Sequence, residues 1–91
     1  IKEKVMPNNE IIISDRTIPI QSTYKEQDRT FANVGLSMSD NTWSWFKCWF
    51  YSDHTEIETE KHSRTSNDEF CALKLFLLSN AESIKTFAES L

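Results

Sequence analysis

The chain has 91 residues, a formal net charge of −4 and a single glycine, where an average composition would supply about six. Each of G-x-G-x-x-G, the P-loop and G-x-S-x-G needs at least two glycines, so phosphate cradles and nucleophile elbows of those kinds are excluded. The length sets one domain over 1–91, and no apolar run reaches the roughly 18 residues of a membrane span.

Residues 1–9 form a polar N-terminal arm, with Lys2, Glu3, Lys4, Pro7, Asn8 and Asn9. A β-meander is expected over 10–65, beginning with a β-branched strand at Glu10–Ser14. Arg16–Ile20 continues or pairs with that strand, and Pro19 confines it to an edge or a bulge. Gln21–Arg29 is polar and is expected to be a loop. Phe31–Ser39 alternates, with Ala32, Val34, Leu36 and Met38 on one face and Asn33, Gly35 and Ser37 on the other. Gly35 in that strand signals a bulge or a group packed close to the backbone. Asp40-Asn41 and Asp53-His54 are turn signals. Between them lies the strongest strand signal, Trp43–Ser52, and Thr55–Arg64 alternates again in mostly polar residues.

From residue 66 to 91 the pattern is helical. Ser66 and Glu69 make a capping box, and Phe70, Leu73, Leu77, Ile84, Phe87 and Leu91 follow steps of three and four around Asn80. Ser79 and Glu82 make a second capping box. Ser79 and Asn80 are poor interior residues, which favours two helices or a kink there. The expected fold class is α+β: an antiparallel β-meander of four to five strands packed on one face by one or two C-terminal helices.

Strand 43–52 carries aromatic residues on both faces, and one helical layer covers only one. A two-residue Asp53-His54 turn would place Tyr51 opposite Glu56, Trp49 opposite Glu58, Lys47 opposite Glu60, Trp45 opposite His62 and Trp43 opposite Arg64. In the preceding hairpin, a two-residue Asp40-Asn41 turn would send the tryptophans to the apolar face. A three-residue Asp40-Asn41-Thr42 loop pairs Leu36 with Phe46 and Val34 with Cys48, agrees with the second hairpin, and is preferred. The solvent-side face then carries Trp43, Trp45, Lys47, Trp49 and Tyr51 beside Asp53, Glu56, Glu58 and Glu60. The opposing arrangement buries the tryptophans beneath the arm or the helices.

Four acids and no Lys or Arg fall between Asp53 and Glu60. With its aromatic neighbours, that strand points to a protein-binding surface for a basic partner. The expected function is a small acidic inhibitor, of the immunity, antitoxin or phage anti-defence type, that blocks a basic nuclease, toxin or nucleic-acid-binding protein. A non-catalytic adaptor or structural subunit using its helices as the interface is the alternative. His54 or His62 beside a glutamate lacks an accompanying nucleophile or oxyanion site, so no enzyme is expected. Strand spacing keeps the full His/Glu set from sharing one ion, so no metal or other cofactor is expected. Only Lys47 and Arg64 would join the aromatic stripe, which disfavours nucleic acid. Cys48 and Cys71 are expected as buried free thiols in a cytoplasmic protein, the alternative being an exported one with a Cys48–Cys71 disulfide.

Overall fold

A computed structural model describes residues 9–61 and 64–91. Five strands form one antiparallel sheet in the order β1-β2-β3-β4-β5: β1 Glu10–Ile13, β2 Arg16–Lys25, β3 Arg29–Ser37, β4 Trp43–Tyr51 and β5 Thr55–Glu58. Two helices follow, α1 Asn67–Ser79 and α2 Ala81–Glu89. This is the α+β meander that the hydrophobic periods predict.

The β1–β2 turn is Ser14-Asp15, both residues at positive φ (52° and 64°), as a type I′ hairpin requires. Pro19 therefore lies in an interior strand, not at an edge. The β2–β3 ladder begins only at Ile20↔Val34, so the missing N–H of Pro19 forfeits no bond to β3. Beyond the end of that ladder, Arg16 Nη1 donates to the Ser37 carbonyl at 2.9 Å and its guanidinium lies 5.3 Å from the Phe76 ring centroid.

Most of the segment expected as a loop at Gln21–Arg29 is strand. β2 runs to Lys25, and its register to β3 shifts between Gln21↔Asn33 and Tyr24↔Phe31, with Ser22 at φ 52°. The sheet's bulge is thus in β2, and β3 passes through Gly35 in unbroken register with β4. One extra residue reverses the alternation. Ile18 and Ile20 point to the core, whereas Tyr24 is turned to the opposite face.

Both hairpins around β4 adopt registers displaced by two residues from the expected ones. β3 and β4 pair as Leu36↔Ser44, Val34↔Phe46 and Ala32↔Cys48, and the loop closes through Met38 N donating to Thr42 O at 2.8 Å. Asn41 stands at φ 68°, and Asp40 Oδ1 accepts from the backbone N and hydroxyl of Thr42 at 3.1 and 2.6 Å. β4 and β5 pair as Lys47↔Glu58, Cys48↔Ile57, Trp49↔Glu56 and Phe50↔Thr55. The turn keeps two residues but is moved to Ser52-Asp53, with Tyr51 N donating to His54 O at 2.9 Å. A displacement of two keeps every side chain on its face, so the expected partition survives while the expected partners do not. β5 ends at Glu58, short of Arg64; His62 lies outside the described residues.

The even residues of β4 (Phe46, Cys48, Phe50) join Ile18, Ile20, Ala32, Val34 and Leu36 in the core beneath the helices, which contribute Leu73, Leu77, Ile84 and Ala88. Phe70 stacks on Phe46 with centroids 5.8 Å apart. Leu91, placed on the helical stripe by its spacing, is 50% exposed past the end of α2. Ser66 caps α1 by accepting from Glu69 N at 3.1 Å. The Glu69 carboxylate does not complete a box; it accepts from Ser39 N at 2.8 Å and ties the β3–β4 loop to the helix. The second box is not formed either. Asn80 separates the helices, with φ −112° and ψ 18°, and its Nδ2 donates to Phe76 O at 2.9 Å.

Candidate binding face

The core lies on one side of the sheet, and both helices pack there. Among the described residues, no helix covers the other side. It carries the odd residues of β3 and β4, Tyr24 from the bulged end of β2, and Glu56 and Glu58 of β5. All five expected β4 residues stand on this face. Trp43 is 46% exposed, Lys47 is exposed, and Trp45, Trp49 and Tyr51 are half-buried. They are buried against one another and against their cross-strand neighbours, not beneath the helices.

At one end the aromatic rings are closely stacked. Phe31 lies 4.7 Å from Trp49 and 5.1 Å from Tyr24, and Tyr24 meets Trp49 edge-on at 5.9 Å. The guanidinium of Arg29 caps Trp49 at 4.0 Å from a ring centroid and donates to the Tyr51 hydroxyl at 2.9 Å. A further hydrogen bond to Glu26 holds the Arg29 guanidinium well above its ordinary pKa, with the bond to Tyr51 adding to the effect. Sequence reasoning missed Tyr24, Arg29 and Phe31 as members of this face. Phe31 shares the parity of Asn33 and was legible; Tyr24 depends on the bulge and was not. Two polar atoms on this side, the Trp49 indole nitrogen and Asn33 Oδ1, are buried and have no hydrogen-bond partner among the described residues.

At the other end Trp45 packs close over Gly35 of the neighbouring strand. A Cβ built on Gly35 would stand 3.0 Å from Trp45 Cη2 and Cζ3 and 3.1 Å from Pro19 Cγ. The glycine in β3 is there for close approach, as one of the two sequence expectations holds. Trp45 also lines a shallow depression of about 580 Å³ with Lys47, Glu58, Thr59 and Glu60. Thr59 closes the β4 edge by accepting from Lys47 N at 2.9 Å.

The acidic run divides in two. Asp53 and Glu56 are engaged by His54, whose ring nitrogens lie 2.7 Å from Asp53 Oδ1 and 3.1 Å from Glu56 Oε2 while the ring stacks on Tyr51 at 4.4 Å. The hydrogen bond to Asp53, then that to Glu56, raises the His54 pKa above its ordinary value. The same contact lowers that of Asp53. Glu58 and Glu60 make no ion pair or hydrogen bond among the described residues. Glu60 lies beyond β5 and opposite no β4 residue, contrary to the expected pairing with Lys47.

Cys48 and Cys71 are both free thiols. Cys48 is in the core, but Cys71 is exposed on α1, which corrects the expectation of two buried thiols and gives no disulfide between them. No three His, Cys, Asp or Glu side chains gather to hold a metal ion among the described residues. None of their helices is long and apolar enough to cross a membrane. Comparison of the chain with family models, curated proteins and solved structures yields no match.

Proposed function

We propose that this protein is a small acidic inhibitor that binds a basic protein, a toxin, nuclease or nucleic-acid-binding protein, through the open aromatic face of its sheet. The observation that carries this reading is a sheet face with Trp43 46% and Tyr24 48% exposed, left uncovered by either helix among the described residues. Exposed clusters of large aromatic residues mark interaction surfaces, and tryptophan, tyrosine and arginine are the side chains that most often anchor them. Trp43 and Trp45 are the proposed anchors at the Glu58 end, with Trp49 held rigid under Arg29 at the other. Glu58 and Glu60 are the free charges that would meet a basic partner.

The adaptor reading has its own observation. The outer face of α1 carries Leu75, 66% exposed, and Leu78, 45% exposed, beside exposed Cys71. One experiment separates the two. The protein is immobilised and used to capture partners from its source cells, in wild-type form and as Trp43→Ala, Glu58→Lys and Leu75→Glu. The inhibitor reading expects a basic protein that Leu75→Glu retains and the other two lose. It also expects that protein's nuclease or nucleic-acid-binding activity to fall with stoichiometric addition of the wild type. Loss with Leu75→Glu alone assigns the interface to the helices and removes the inhibitor reading.

A further inference from the structure

We propose that the depression between Trp45, Lys47, Glu58 and Glu60 is a seat for one arginine side chain of the partner. This rests on the sheet-face reading and deepens it. Three features of the depression fit a guanidinium. Its lining includes the Trp45 indole, whose ring is packed close over Gly35, so little side-chain freedom is lost when a plane stacks on it. Its two carboxylates have no ion pair or hydrogen bond among the described residues, unlike Asp53 and Glu56, which His54 engages. Its single cation, Lys47, stands directly opposite Glu58 across the ladder yet makes no ion pair with it. The lining charges therefore sum to one excess negative charge, uncompensated within the depression.

Arginine fits better than lysine on physical grounds. The guanidinium is planar, weakly hydrated and able to stack on an indole while its N–H groups reach a carboxylate. An ammonium is a compact, strongly hydrated charge and gains less from the ring. The methylene stem of either residue would cover the apolar part of the Trp45 side chain.

Lys47 gives the proposal an unusual signature, because the two charge types must act with opposite sign. The test titrates the ¹⁵N-labelled protein with N-acetyl-arginine methylamide, and separately with the lysine analogue, at low salt. The Trp45 indole N–H and the amides of Lys47, Glu58 and Glu60 are followed by NMR. Arginine should give saturable shifts confined to this group. Glu58→Gln and Glu60→Gln should each weaken the probe by about threefold, the size of an exposed ion pair. Lys47→Gln should tighten it by about twofold, since it removes the competing cation. Lysine should bind more weakly than arginine. Equal binding of the two probes, no change in Glu58→Gln, or weaker binding in Lys47→Gln would overturn the seat. Failure of the seat remains distinct from failure of the whole face. A captured partner that loses affinity with Trp43→Ala but is unchanged by both Glu58→Gln and Lys47→Gln removes the seat and keeps the face. Arginine binding with the stated signs, when capture ignores Trp43, leaves an arginine site on the sheet but removes the face as the partner interface and, with it, the assignment of that site to the partner.

Discussion

Gly35→Ala tests the packing that positions Trp45. The backbone at Gly35 is not at positive φ, so alanine meets no conformational penalty there. Its Cβ would stand 3.0 Å from Trp45 Cη2 and Cζ3 and 3.1 Å from Pro19 Cγ, inside ordinary contact distance on both sides. Inserting a methyl into such a contact costs about 1–3 kcal/mol. Replacing glycine within a strand returns about 0.5–1 kcal/mol through the unfolded chain. The net expectation is a loss of about 1 kcal/mol, or a fall in Tm of about 4–8 °C for a domain of this size. Trp45 is half-exposed with open space beside it, so the ring should tilt outward and the tryptophan emission should move to the red. A double-mutant cycle isolates the cause. In a Trp45→Leu background the two offending ring atoms are absent, and Gly35→Ala should be neutral or stabilising within about 0.5 kcal/mol. Urea melts of the four proteins give the coupling energy, expected near 1 kcal/mol or above. Additivity within about 0.3 kcal/mol would refute the claim that Trp45 is what requires glycine at this position.

Three other outcomes are expected. Thr30 is buried, and its hydroxyl donates to Glu89 Oε2 at 2.8 Å, joining β3 to the end of α2; Thr30→Val should cost about 1 kcal/mol at neutral pH. That bond, more than the charges of nearby Lys25 and Lys85, lowers the Glu89 pKa. The associated stability is present above the unfolded value and lost as pH falls through the folded one, so wild type and Thr30→Val should converge in acid melts. His54 should titrate by NMR with a midpoint above 6.5, and Asp53→Asn should lower it; the stability linked to His54 is present below the unfolded pKa and fades as pH rises through the folded one. A midpoint unchanged in Asp53→Asn would contradict the contact. Burial pushes the Cys48 thiol up to about 12, whereas Cys71 is exposed. A thiol reagent at pH 8 should therefore modify one cysteine quickly, and peptide mapping should find it at Cys71; equal rates at both would mean that Cys48 is not in the core.

The sequence by itself determined the buried face of β3 and the place where the helical segment breaks or kinks. Period-two alternation in β3 assigned Val34 and Leu36 to the core, whereas β4 carries aromatic residues on both faces, so its hairpin loops only favoured the tryptophans on the open side and the structure decided it. Ser79 and Asn80 marked the helix break because their short polar side chains bond the preceding turn instead of continuing the helix, as Asn80 does at Phe76 O. Only the tertiary structure decided the rest. Alternation does not distinguish registers two residues apart, so the partners of Lys47 and Trp49 depended on turn geometry at Asn41 and Ser52-Asp53. A bulge reverses parity without leaving a hydrophobic signal, so Tyr24 joined the aromatic face from what looked like a polar loop. The acidic run was legible as charge. Which acids are engaged was not, because that follows from His54 folding back over Tyr51 to reach Asp53 and Glu56, leaving Glu58 and Glu60 beside Trp45.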